Sequence, residues 1–369
     1  MIYRTFLRPV LFQLDPEVAH DAAIRWGERC QQLPGLISLS NRLHRITDDR
    51  LTTTVAGIRF SNPIGLAAGF DKSGRIVDLL ASLGFGHVEI GSISRDASAG
   101  NARPRLWRLS QDEATLVHYG LPNDGATSVA DRLSHMRLTT PLGINLVNTH
   151  RPTDTTVSAA CLADAILDDY VAAASRLQVF ADYLMLNLSC PNTVDGRGFF
   201  EHESHLSELL QRLNAHDVAP PIFLKLSPEL DDRGLDQLLN AVNPHRNVRG
   251  LMFNLSPRFR EGLKTPRRVW ENHPGAISGR PIREWMDDRV AWLYGRIDPA
   301  RYQIIAAGGI TTGEDAYRRI RCGASLVQLY TALIYRGPGL PRRLNRELSR
   351  CLERDGFDNI SEAVGVNLA

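Results

Sequence analysis

The ten residues Leu184-Met185-Leu186-Asn187-Leu188-Ser189-Cys190-Pro191-Asn192-Thr193 are the stretch of the chain best suited to chemistry. An apolar, strand-like run ends in amides and a thiol, and Pro191 stops it. A buried strand has no use for amides at its mouth unless they meet something polar, because an unpaired buried amide costs about 1–3 kcal/mol. Cys190, held between Asn187 and Asn192, suits a base poised over a bound ligand.

The rest of the chain must position that group. Its 369 residues allow one large domain or two ordinary ones. Hydrophobic residues at 43% and charged residues at 23% are those of a soluble globular protein, and a net charge of +2 implies no nucleic acid. Lysine occurs only at 72, 225 and 264, so Lys72 and Lys225, both inside motif-like stretches, are read singly. The cysteines at 30, 161, 190, 322 and 351 are odd in number and form no CxxC pair, so neither a metal site nor a disulfide framework is expected. A reducing compartment fits them. Arg4, Arg8, Gln13 and Asp15 interrupt the N-terminal apolar stretch, against a cleavable signal peptide, and no run reaches the roughly 18 apolar residues of a spanning helix.

Eight short apolar runs recur: 63–68, 87–90, 141–146, 183–188, 222–226, 250–253, 303–307 and 326–329. Segments of helical period lie between most of them. Continuous rather than alternating apolar strands fit a parallel sheet covered on both faces, and eight of them predict an α/β fold, a (β/α)8 TIM barrel. Gly69, Ser92, Asn145, Asn187, Lys225, Asn254, Gly308-Gly309 and Tyr330-Thr331 follow or end these runs, at the face where such barrels keep their active sites. The widest gaps, after the second and sixth runs, leave room for active-site loops. Residues 1–45 form a separate helical extension ahead of a barrel spanning 46–369. Ile2, Phe6, Val10 and Leu14 make one apolar stripe, and Val18, Ala22, Trp26 and Cys30 a second, after an Asp15-Pro16-Glu17 helix start. With Arg4, Arg8, Arg25 and Arg29 nearby, these helices either pack on the barrel or lie at a bilayer interface.

The chain resembles the dihydroorotate dehydrogenase family, specifically its quinone-reducing, membrane-associated class 2. The residues that carry the resemblance are Leu11 to Glu17 with Ala19-His20, Asn62 to Lys72, Gly84-Phe85-Gly86, Pro104-Arg105-Leu106, Asn187 to Thr193, Ser278 to Pro281 and Gly323 to Tyr330. The resemblance implies a barrel binding FMN, dihydroorotate stacked on the flavin, and N-terminal helices forming a quinone tunnel at the cytoplasmic face of the inner membrane, or else a cytoplasmic protein. It implies proton removal from C5 of the substrate and hydride transfer from C6 to flavin N5. Carried over, Ala68, Gly69, Ser92, Asn145, Asn187, Lys225, Asn254, Gly279, Gly308, Gly309, Tyr330 and Thr331 would hold FMN. Lys72, Val117, Gly120, Leu121, Asn187, Asn192, Leu255 and Ser256 would face the substrate, with Cys190 and Lys225 as catalytic groups.

The departures from the family pattern concern the substrate half. Cys190 stands where class 2 enzymes have serine, as in the soluble class 1 enzymes. The family's Asn-Arg-Met/Tyr-Gly-Phe-Asn loop is here Val117 to Asn123, without the first amide. The Thr-Asn-Thr of the sixth strand becomes Asn254-Leu255-Ser256, with the amide lost or displaced by one residue, and the Gly-Lys-Asn after the third strand's Asn becomes Val147-Asn148-Thr149. Two alternatives follow: a related enzyme acting on a different small acid, or a flavin-binding protein without turnover. Retention of both Cys190 and Lys225 argues against the second.

Overall fold

The computed structural model describes residues 3–136, 138–150, 159–189 and 198–368. Eight parallel strands close into a barrel in chain order: β1 (Ile64–Leu66), β2 (His87–Ile93), β3 (Leu142–Leu146), β4 (Tyr183–Asn187), β5 (Ile222–Leu226), β6 (Val248–Phe253), β7 (Gln303–Ala307) and β8 (Ala324–Leu329). Each apolar run of the sequence becomes one of these strands. The cause is burial on both sides: every residue of β1, β3 and β4 is buried, helices covering one face and the barrel interior the other.

The interior is filled by rings set against glycines. A Cβ on Gly65 would stand 2.0 Å from the His87 ring, one on Gly143 2.2 Å from Tyr183, and one on Gly250 2.2 Å from Phe223. Phe60, His87, Tyr183 and Phe223 meet edge to face in turn. Burial pushes the His87 imidazole down to about 3, so it sits in this layer as a neutral ring. The hairpin Thr53–Val55 and Ile58–Phe60 closes the foot of the barrel, where Val55 and Phe60 pack with Tyr183, Met185, Phe223 and Met252.

The helices behind the strands begin where the sequence supplies caps. Asp231 accepts from Gly234 N–H at 2.8 Å ahead of Asp232–Val242, whose Leu235, Leu238, Ala241 and Val242 are buried. Thr312 and Asp315 form a capping box at the start of Gly313–Arg321. The two long gaps are more ordered than plain loops. Leu106–Leu109, Ala114–Val117 and Ala276–Gly279 pair into a small antiparallel sheet, with Ala114–Val117 in its centre.

At the N-terminus, the helical turns Tyr3–Leu7 and Arg8–Leu11 precede helices Pro16–Gln31 and Leu36–His44. Asp15 caps the third of these, accepting from Glu17 N–H at 2.9 Å and Val18 N–H at 3.1 Å. The stripe expected along that helix divides. Cys30 is buried with Ala19, Ile24 and Gly27, whereas Val18 and Trp26 face outward, 46% and 67% exposed. The barrel-facing side is set by close approach: a Cβ on Gly27 would lie 3.0 Å from Ile76. It is also tied by charge, since the buried Arg105 Nη2 lies 2.7 Å from Glu17 Oε1.

Candidate active site

A cavity opens at the C-terminal ends of the strands, walled by the barrel below and the small sheet to one side. Ala68 and Gly69 come from the end of β1, Ser92 from β2, Asn187 from β4, Lys225 from β5, and Asn254 and Leu255 from just beyond β6. Gly308 and Gly309 follow β7, Tyr330 and Thr331 follow β8, and Val117 and Gly279 end strands of the small sheet. Lys72 and Leu121 complete the set of expected residues on its wall. Asn187 and Lys225 stand side by side in register across β4 and β5, with Met252 on the far side of Lys225.

Asn145, Gly120 and Ser256 stand off this wall. Asn145 is fully buried one step below it and reaches the cavity through Ser92, whose hydroxyl donates to Asn145 Oδ1. Gly120 faces Asn101 instead, where a Cβ would come within 2.5 Å of the side chain. Ser256 donates to Glu229 and accepts from the N–H groups of Arg258 and Phe259, so it serves the turn after β6. Cys190 and Asn192 lie outside the described residues. Asn254 lines the cavity, and its Nδ2 donates to Asn187 Oδ1 at 3.0 Å and to the Ser189 carbonyl at 3.1 Å.

On the side of β7 and β8 the wall offers backbone and hydroxyl donors. Gly308 and Gly309 run at φ +99° and +77°, and a Cβ on Gly309 would meet Arg283 Cα at 2.4 Å, so glycine is required there. Thr331 Oγ1 and Ser278 Oγ lie 2.8 Å apart, and Ser278 Oγ and Thr115 Oγ1 likewise. Behind this turn the fully buried Arg319 donates to the carbonyls of Ala307 and Gly308 at 2.9 Å each and of Arg283 at 3.0 Å, with Asp287 as its counter-ion. Glycine backbone with hydroxyls on one side, amides and Lys225 on another and the apolar Ala67, Met252 and Leu329 between them form a donor set that fits a phosphorylated, ring-bearing cofactor such as a flavin nucleotide.

Lys72 belongs to two cavities. Its second face opens on a polar pocket under helix Pro16–Gln31, shared with Glu17, His20, Asp21, Arg103 and Arg105. Its ammonium lies 4.3 Å over the Tyr119 ring. Burial lowers Lys72 to about 8, opposed by the charges of Asp21 and Glu17. Sequence reasoning missed Thr115, Ser278 as a side chain, Tyr119, Arg319 and His20. Thr115 and Ser278 depend on the pairing of strands far apart in sequence, and Arg319 stands in an arginine-rich helix that reads as solvent-facing.

Polar groups gathered at the C-terminal face, with glycines after the seventh strand, place the molecule among the (β/α)8-barrel enzymes. The profile of the family described as dihydroorotate dehydrogenase matches residues 50–352. The chain is 37% identical over 366 residues to the dihydroorotate dehydrogenase (quinone) of Halobacterium salinarum, covering 98% of this chain and 99% of that one. It is 38% identical over 368 residues to the protein of the same name from Rhodospirillum rubrum, covering 97% and 93%. The crystal structure of ligand-free DHODH from Eimeria tenella superposes with a TM-score of 0.82 at 29% identity, covering 96% of this chain and all of that one (100%). The chain belongs to the dihydroorotate dehydrogenase family.

Proposed function

We propose that this protein oxidises dihydroorotate to orotate with FMN bound in the barrel-mouth cavity, and passes the electrons to a quinone. The observation that carries the reading is the facing of two donor sets across one cavity, Asn187, Lys225 and Asn254 against Gly308, Gly309 and Thr331. FMN, when bound, accepts the hydride from the substrate. Gly308, Gly309, Gly279 and Thr331 would hold its phosphate, and Lys225 would place a cation near the electron-rich part of its ring. Lys72, protonated below about pH 8, would pair with the substrate carboxylate. Cys190, at the end of the same segment as Asn187, would take the C5 proton. Asn187, held by Asn254, would hydrogen-bond the ring and hold the reacting carbon in line.

The N-terminal turns support the quinone part. Phe6, Leu7 and Val10 are each more than half exposed, Leu14, Val18 and Trp26 continue the apolar surface, and Arg4 and Arg8 flank it. Such a surface suits shallow insertion at a lipid interface, on the cytoplasmic face of the inner membrane. Among the described residues no helix is long and apolar enough to cross a membrane.

The test is anaerobic. The purified protein should be yellow, release FMN on denaturation, bleach on adding L-dihydroorotate and regain colour with a long-chain quinone. A colourless protein that takes up no added FMN, or a flavin that dihydroorotate leaves oxidised, would overturn the reading.

A further inference from the structure

Glu89 sits in the middle of β2, fully buried inside the barrel beneath the cavity. Three groups donate to it: Tyr183 OH at 2.9 Å and Gln328 Nε2 at 2.8 Å to Oε2, and Asn145 Nδ2 at 2.9 Å to Oε1. A carboxylate accepts only, and that one-way property propagates. Asn145 must turn its Nδ2 down to Glu89, which leaves Oδ1 for Ser92. The single Ser92 proton is thereby committed, so Ser92 Oγ can only accept, and it accepts from Asn187 Nδ2 at 3.2 Å. Asn187 Oδ1 in turn accepts from Asn254 Nδ2 at 3.0 Å, and the Leu255 N–H closes the chain on Asn254 Oδ1 at 2.9 Å.

An amide can exchange its oxygen and nitrogen with almost no change of shape, so packing alone leaves such a wall with two senses. We propose that Glu89 is a positioning residue: it holds Asn145 and Ser92 in the sense that lets Ser92 accept from Asn187, matching the sense that the Ser189 carbonyl and the Leu255 N–H impose through Asn254 from the other end, so that Asn187 presents its second N–H to the ligand. The inference rests on the function proposed above, because it takes the ligand beside Asn187 to be a ring with carbonyl acceptors. A glutamine at 89 can satisfy Tyr183 and Gln328 through its oxygen while offering N–H to Asn145. Asn145 then flips and Ser92 turns its proton toward Asn187 Nδ2, which Asn254 keeps in its place, so Asn187 loses its Ser92 acceptor and with it the orientation of its second N–H.

Orotate affinity, read from the flavin absorbance of the holoenzyme, tests this. Glu89→Gln and Ser92→Ala should each weaken orotate binding about tenfold, and the double variant should be no weaker than the worse single one, because both cut one chain. Tyr183→Phe removes a donor to Glu89 without touching the path to Asn187, and should bind orotate within about twofold of the parent. Thermal unfolding separates positioning from packing, with Glu89→Gln expected to melt close to the parent. Unchanged affinity in Glu89→Gln, additive losses in the double variant, or an equal loss in Tyr183→Phe would each refute the proposal. If Glu89→Gln does not fold, Ser92→Ala binding orotate as tightly as the parent decides against it. A parent that binds no FMN or orotate defeats the proposed function instead, so the two failures are distinct.

Discussion

Lys72 Nζ lies 2.9 Å from His20 Nε2, an ammonium on an imidazole across the seam between barrel and N-terminal helix. His20 is half-buried, and its desolvation, reinforced by the Lys72 charge, holds its titration well below the usual range. The ring is therefore neutral and can accept from the ammonium. One side chain of the extension is thus in direct contact with the group that would receive the substrate carboxylate.

That contact gives the first prediction a sign. Below about pH 8 Lys72 is charged and can hold a carboxylate, and above it the charge is lost. Orotate affinity should fall as pH rises through about 8. Asp21 is the strongest of the charges holding Lys72 up, so Asp21→Asn should move this limb to lower pH. A pH profile of orotate binding, read from the flavin absorbance of both proteins, checks it.

Cys190→Ala should keep the flavin and lose about 10²–10⁴-fold in the rate of flavin reduction, because proton removal alone is deleted. Cys190→Ser should retain part of the rate. Anaerobic stopped-flow reduction by dihydroorotate measures both, and an alanine variant as fast as the parent would remove the thiol from the mechanism.

Val117 lines the cavity where the family pattern has an amide, whereas the sixth-strand amide is present as Asn254. Val117→Asn should therefore tighten orotate binding by about 1 kcal/mol. Leu255→Asn should gain nothing, since Asn254 already holds that place. Flavin titration with orotate separates the two, and a gain from Leu255→Asn would contradict the placement.

Glu17→Ala should destabilise the fold by about 3–5 kcal/mol, because it leaves Arg105 buried with its charge uncompensated. Urea unfolding would show this as a lowered midpoint at unchanged slope. A deletion through residue 45 would remove the same counter-ion and should lower the midpoint likewise.

Phe6→Ser with Trp26→Ser should weaken binding to anionic lipid vesicles severalfold and leave reduction by dihydroorotate unchanged, since both side chains are exposed and neither lines the cavity. Vesicle cosedimentation beside the reductive half-reaction reads the two effects separately.

The barrel was legible because burial on both faces leaves an unbroken apolar run such as Tyr183 to Leu186, which few other environments require. The strand-end residues were legible for the complementary reason: Lys225 and Asn187 on apolar strands need a polar destination. The small sheet was not, because Ala114–Val117 acquires its partner Ala276–Gly279 only when the chain returns from the sixth strand. Which side of Pro16–Gln31 packs was not legible, because Val18 and Trp26 carry the apolar pattern, while the packed side is made by Gly27 and the buried Glu17, which hydropathy scores as polar. Glu89, between Val88 and Ile90, gives no sign in sequence that it points inward.

The hairpin Thr53–Val55 and Ile58–Phe60 turns the barrel into a vessel with a closed bottom. With Val55 and Phe60 packed across the foot, a molecule that enters the barrel comes from the face where the strands end, and the chemistry has its back to a sealed wall.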